Sequence, residues 1–448
     1  MDSFLPPATP EQIAAVYAHL HVTHRALMLT QWRMFFALLG VSLNLLLPWL
    51  LLATGLSAWL RDRAGGLSTR LLRLGLVARV MRRVEELDTR LRRGRRRSRL
   101  RQWDARVERW MRGLRVWREW DPAIFRTTAL YAAAYFLCYR VVKIPASLTT
   151  YHVEAAYGLT HQSPAAWAGG RGADWLEGIA LNTLGAVLLL WLIRFSPRRW
   201  PVVLAALVSS VALAFWWLPA PADSDLRPLP VGALSQRLHT LAAHAGMPRV
   251  QILADETAEG RDEANGYSSH SGGVPRIVLT RKMLDTEPPE QVEATMAHEL
   301  GHCFYQDDLL TLLLSLGGIS IALPLLRWLA ERLLARFGPR WRVASLADPA
   351  ALPVLLLSFH LVTLVTDPLG NAYSRAVERR ADAYGIALTR DRVAAAQEYV
   401  TFCDQEGEDP NPPAWFVSWH DNHPADAERI RSALVGQPGQ SAPSTLLP

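Results

Sequence analysis

The chain has 448 residues, half of them apolar, 17 of them tryptophan, and a formal net charge of +7. The apolar residues come in blocks, a membrane signature that argues against the core helices of a large soluble protein, since such helices rarely run so long without a charge. Three scattered cysteines, Cys138, Cys303 and Cys403, exclude a disulfide framework.

In chain order, an N-terminal segment over 1–33 precedes the first hydrophobic run, 34–60, which is too long for a signal-peptide core and is expected to be an uncleaved anchor. A basic loop follows over 61–125, with Arg92, Arg93, Arg95, Arg96, Arg97, Arg99 and Arg101 at its centre. Nucleic acid is the obvious partner for such a run, but the spacing speaks against it. Leu74, Val77, Val80, Met81, Val84, Leu87 and Leu91 form one helical stripe and Trp103, Val107, Trp110, Leu114 and Trp117 another, so the expectation is amphipathic helices on anionic membrane lipids, with no nucleic-acid partner.

Transmembrane helices are expected over 126–218, from apolar runs at 127–142, 175–193 and 202–218, with a loop near 150–163. A folded unit follows over 222–308: helix at 234–244, strands at 250–254 and 276–279, and a helix at 290–305. Runs at 309–326 and 350–366 predict a membrane helix pair across 309–366. The remainder of the folded unit occupies 367–435 and a flexible tail 436–448, so six spans are expected in all. The arginine-rich connections 61–126, 194–199 and 327–342 then share one side, which the positive-inside rule makes cytoplasmic. The folded segments lie opposite.

Within the 290–305 helix stands His298-Glu299-Leu300-Gly301-His302. Residues four apart share a helix face, so His298 and His302 can hold one Zn²⁺ while Glu299, one step round, reaches a water on the metal as general base. Catalytic zinc needs a third protein ligand, and Glu378 offers it. Asp382, one turn further, can accept the free ring N–H of a zinc histidine. Cys303 points about 100° away from His302 and is expected to be a packing residue. Charged and polar neighbours Glu293, Gln306, Asp307 and Asp308 set this helix at a membrane interface, which argues against an intramembrane protease. An intact base and ligand set argue against a catalytically silent scaffold. A transporter would pair polar groups inside its spans, and only isolated ones such as Asn182 and His360 occur.

These residues resemble the integral-membrane zinc metalloproteases of the type I CAAX prenyl protease group, gluzincins that include bacterial heat-shock-associated membrane proteases. The resemblance rests on the His-Glu-Leu-Gly-His motif, on Ser374-Arg375 followed by Glu378 and Ala381-Asp382, and on Asn265-Gly266-Tyr267 before 275–279. Two further motifs are similar: 151–159 (Tyr-His-Val-Glu-Ala-Ala-Tyr-Gly-Leu) and His423-Pro424 with Glu428-Arg429-Ile430. It implies a polytopic α-helical membrane protein with a small α+β zincin-type domain interrupted by a transmembrane helix pair. It implies one zinc on His298, His302 and Glu378, Glu299 as catalytic base, and Asp382 supporting a ligand. Asn265 would contact the substrate backbone, and His423 and Arg429 would position or stabilise the developing oxyanion. The reaction expected is peptide hydrolysis in protein or peptide substrates, membrane-anchored ones included, with a bacterial inner-membrane location; the arginine distribution puts the catalytic domain on the non-cytoplasmic side, whereas the eukaryotic members of the family work at the cytoplasmic face. The chain departs from the family over 303–308, where relatives commonly carry a Trp, a Lys and a further His, and in its Asn-Gly-Tyr.

Overall fold

A computed structural model describes residues 5–73, 122–158, 160, 162–218, 225–257, 264–271, 274–407 and 409–436. Both stripes expected between 74 and 117, and the tail beyond 436, lie outside the described residues. The chain forms two compact units, one of Met1–Leu38, Ala206–Ile319 and Thr363–Pro448, the other of Leu39–Ala205 and Ser320–Val362.

The helices are α1 (Pro10–His19), α2 (His24–Ala53), α3 (Leu56–Arg73), α4 (Pro122–Ala156), α5 (Pro164–Phe195) and α6 (Trp200–Trp217). They continue after the first strands as α7 (Ala233–His244), α8 (Arg281–Thr286), α9 (Pro289–Tyr305), α10 (Asp307–Trp341), α11 (Leu352–Thr389), α12 (Arg392–Glu406), α13 (Ala414–His420) and α14 (Asp426–Val435). Among the described residues, five segments are long and apolar enough to cross a membrane: α2, α5, α6, α10 and the stretch Pro349–Thr389 that contains α11. The expected span at 127–142 lies in α4, which is not one of the five. Alanines, tyrosines, Arg140 and Lys143 dilute its apolar run. The run 34–60 is also not one helix, because Gly55 at φ +72° breaks it between α2 and α3. Residues 150–156, expected as loop, are the last turns of α4, since nothing breaks the helix before Gly158 at φ +66°.

In the second unit, large side chains face outward: Leu176 is 73% and Val202 66% exposed. Leaving each in water forgoes about 1.5–3 kcal/mol, so a lipid surround is what this surface fits. Polar pins hold the bundle inside. Ser57 donates to the Ala350 carbonyl at 2.9 Å and shares a 2.7 Å hydrogen bond with the Tyr131 hydroxyl, while Arg61 meets Asp348 at 2.7 Å.

In the first unit, a sheet of β1 (Leu226–Pro228), β2 (Gln251–Asp255), β3 (Gly266–Ser271) and β4 (Val274–Thr280) runs in the order β1-β2-β4-β3, with β2 and β4 parallel and the outer pairs antiparallel. Val292, Met296, Leu300 and Cys303 recur at helical spacing on α9 and bury against Ile252, Ile277, Leu279 and Met283. Gly266 lets β3 approach this helix closely: a Cβ there would stand 2.6 Å from Thr295 Cγ2. On the other side α1, fixed by a Thr9–Gln12 capping box, packs with α12 and α14 around Val16, Ala396 and Ile430. The Ala8 N–H donates to the Leu434 carbonyl at 2.8 Å, and Arg392 donates to the carbonyls of Leu5, Pro6 and Ala433. The N-terminal segment is thus part of the unit that carries the motif.

Candidate metal centre

Helix α9 presents His298 and His302 one turn apart, and α11 brings Glu378 to both. His298 Nε2 lies 3.0 Å from His302 Nε2 and 3.3 Å from Glu378 Oε2, and His302 Nε2 lies 3.6 Å from Glu378 Oε1. Ligands about 2.1 Å from one tetrahedral ion stand roughly 3.4 Å apart. The three separations bracket that edge length, so the donor set fits a single small divalent cation. Glu299 also falls in the cluster, its carboxylate within 4.8 Å of ring nitrogens of both histidines. Glu378 is the better ligand because it meets both Nε2 atoms directly.

Two crossing glycines make this approach possible. A Cβ on Gly301 would stand 3.1 Å from Ala381 Cα, and one on Gly385 would stand 3.0 Å from His298 N. Helices α9 and α11 therefore meet nearly backbone to backbone, which lets the short Glu378 side chain reach the histidines.

Each histidine uses its other nitrogen on a carboxylate. His298 Nδ1 is 2.8 Å from Asp382 Oδ1, and His302 Nδ1 is 3.0 Å from Asp307 Oδ2. Asp382 is gripped in turn by Arg429, whose Nε and Nη2 donate at 3.0 and 2.7 Å, and by the Tyr399 hydroxyl at 2.8 Å. Asp307 is held by Arg380.

Burial disfavours a charged His298, but contact with Asp382 and Glu378 outweighs it and pushes the ring up to about 10. A field that holds a proton so tightly favours a cation in its place. Burial raises the Glu299 carboxyl above its ordinary range; His298, His302 and a hydrogen bond with Ser268 on β3 oppose the rise. Burial also pushes the Cys303 thiol up to about 12, so it stays neutral, as a packing residue should.

The remaining expected residues divide. His423 Nε2 lies 3.5 Å from Glu378 Oε2 on a half-exposed ring, and desolvation, with Arg429 nearby, lowers its pKa and favours the neutral form. Arg429 is buried and reaches the cluster only through Asp382, its fork occupied there. Asn265 sits at the head of β3, where its backbone exchanges hydrogen bonds with Thr280 and its side-chain oxygen accepts from the Gly266 N–H at 2.8 Å. Asp307, Arg380, Tyr399 and Ser268 were not singled out from the sequence as parts of the site. Only Asp307 carried a local hint, as an acid five residues beyond a proposed ligand.

Comparison with known proteins accords with this geometry. A family model described as Peptidase family M48 matches residues 228–435. The chain is 26% identical over 320 residues to a Bacillus subtilis protein named uncharacterized metalloprotease YhfN, covering 70% of this chain and 74% of that one. It is 24% identical over 328 residues to a CAAX prenyl protease 1 homolog of rice, Oryza sativa subsp. japonica, covering 68% and 73%. The crystal structure of S. mikatae Ste24p superposes with a TM-score of 0.57 at 18% identity, over 69% of this chain and 76% of that one, which shows a shared fold. The chain is a membrane metalloendopeptidase, and its residues 228–435 match the model of peptidase family M48.

Proposed function

We propose that this enzyme hydrolyses peptide bonds of membrane-associated or membrane-proximal proteins with one zinc ion held by His298, His302 and Glu378. The observation that carries the reading is the trio of donor separations, 3.0, 3.3 and 3.6 Å, at the edge length of a tetrahedral site. Bound zinc supplies polarisation of the scissile carbonyl and acidification of water. Glu299 takes the proton from the attacking water and delivers it to the departing amine. Asp382 fixes the His298 tautomer, and Arg429 is a positioning residue that acts through Asp382. His423, neutral and beside Glu378, donates to the oxygen on which negative charge develops. Asn265 holds substrate backbone at the head of β3, an edge strand to which an extended peptide can add.

The rice relative's name supports including lipidated C-terminal tails among the substrates, and the bacterial inner membrane expected from the sequence accords with five helices apolar enough to cross a membrane. The arginine distribution supports a catalytic unit on the non-cytoplasmic side. Glu299→Gln tests the chemistry: zinc is retained and turnover of a peptide substrate falls by about 10²–10⁴-fold. An equally active variant excludes Glu299 as base. Chelation abolishes wild-type turnover, and zinc restores it.

A further inference from the structure

Around the two histidines the same arrangement occurs twice. On one side His298 meets Asp382, Asp382 meets Arg429, and the Arg429 guanidinium lies 4.2 Å from the Tyr399 ring centroid. On the other side His302 meets Asp307, Asp307 meets Arg380, and the Arg380 guanidinium lies 4.2 Å from the Tyr305 ring centroid. Both carboxylates are buried, Asp382 at 4% and Asp307 at 3% exposure. In the first, the place of Asp382 is read directly from its spacing to Glu378. The second depends on a local break in the backbone.

On an uninterrupted helix, a residue five positions after His302 would stand about 140° round the axis from it. Gln306 adopts the left-handed conformation at φ 54° and ends α9, and Asp307 begins α10. The break turns the Asp307 carboxylate back onto the face that carries His302. Acid at the first turn of α10 also suits the helix dipole, but that alone requires neither burial nor contact with a ring nitrogen. A buried carboxylate without a counter-charge would be costly, and Arg380, two residues after Glu378 on α11, provides that charge.

We propose that Asp307, clamped by Arg380, is a positioning residue for the metal: it fixes the His302 ring with Nε2 free for the ion and sets the affinity of the site. This rests on the zinc reading above. An Nδ1–H shared with a carboxylate makes the opposite nitrogen a better donor and freezes ring rotation, and loss of such a partner typically weakens metal binding by about 10–100-fold.

The test is the zinc dissociation constant of full-length, detergent-solubilised protein, measured by competition with a chromophoric chelator. Asp307→Ala weakens binding by about 10–100-fold. Asp307→Asn keeps the shape without the charge and weakens it several-fold, and Arg380→Ala falls between wild type and Asp307→Ala. With zinc in excess, KM for a peptide substrate stays at the wild-type value in all three variants. Wild-type affinity in Asp307→Asn overturns the proposal, and this isosteric variant decides the matter if Asp307→Ala does not fold. Failure of the wild-type protein to bind zinc would instead sink the reading of the site itself.

Discussion

At the scale of single residues, the site is a small set of buried charges that are tolerable only in combination. Removing Arg429 leaves Asp382 buried opposite His298 with its strongest partner gone. Arg429→Ala should therefore destabilise the catalytic unit by about 3–5 kcal/mol, read as a fall in its unfolding temperature, and lower zinc affinity in the same preparation. A second buried acid carries a pH signature. The Thr295 hydroxyl donates to Glu398 Oε1 at 2.7 Å; Glu287 lies against Glu398, Gln405 donates to Glu287 at 3.3 Å, and Lys282 and Arg429 are the cations facing the pair. Burial, then the neighbouring Glu287, raises the Glu398 carboxyl well above its ordinary value near 4.5. The folded state thus binds a proton that the unfolded state has lost. Its stabilisation is complete below about pH 4.5 and disappears as pH climbs through the raised value, at most about 1.4 kcal/mol per pH unit. The unfolding temperature should drop between about pH 6 and 8 in the wild type, and Glu398→Gln should flatten that slope.

What the sequence disclosed at this scale follows from periodicity. His298, Glu299 and His302, and likewise Glu378 and Asp382, share helix faces by spacing alone, so their proximity within each element could be read directly. Asp307 could not, because its approach depends on a left-handed Gln306. Neither could the use of Arg429, whose partner lies 47 positions away in the chain.

At the scale of elements, the crossing of α9 over α11 decides whether Glu378 reaches the histidines. Gly385→Ala puts a methyl 3.0 Å from the backbone nitrogen of His298 and 3.2 Å from Ala297 C, where no side-chain rotation relieves it. The helices must separate by a few tenths of an ångström, at a cost of about 1–3 kcal/mol. Zinc affinity and turnover should fall together in this variant, in contrast to Glu299→Gln. Long periodic elements such as α9 were legible, whereas β1, three residues long, and β3, polar along its length, carried little signal. The division of 34–60 at Gly55 was missed because an apolar run hides a break that one glycine makes by its φ angle alone.

At the scale of the whole molecule, the N-terminal segment fixes how many times the chain must cross the membrane. Helix α1 packs on α12 and α14, so the segment before α2 lies on the same side as the catalytic region. Between them α2, α5 and α6 supply three crossings, an odd number that would put the two on opposite sides. We propose a fourth crossing between α2 and α5. Among the described residues α4 is the helix long enough, about 50 Å at 1.5 Å per residue, and the long stems of Arg140 and Lys143 let their charges reach a headgroup layer. The helix pair α10 and α11 then returns the chain to the side it left, as the meeting of His298 with Glu378 requires. On the proposed topology the connections carrying the arginines at 61, 194, 198, 199, 327, 332, 336 and 340 share the cytoplasmic side, in keeping with the positive-inside rule. Cysteine labelling checks this in a Cys138→Ser background, since Cys303 and Cys403 are buried. In intact cells a membrane-impermeant maleimide should label Glu11→Cys and His244→Cys but not Arg340→Cys, all three at exposed positions, and should reach Arg340→Cys only after the membrane is opened. Labelling of Glu11→Cys and His244→Cys from opposite sides would remove α4 as a crossing, and labelling of Arg340→Cys alone in intact cells would invert the protein.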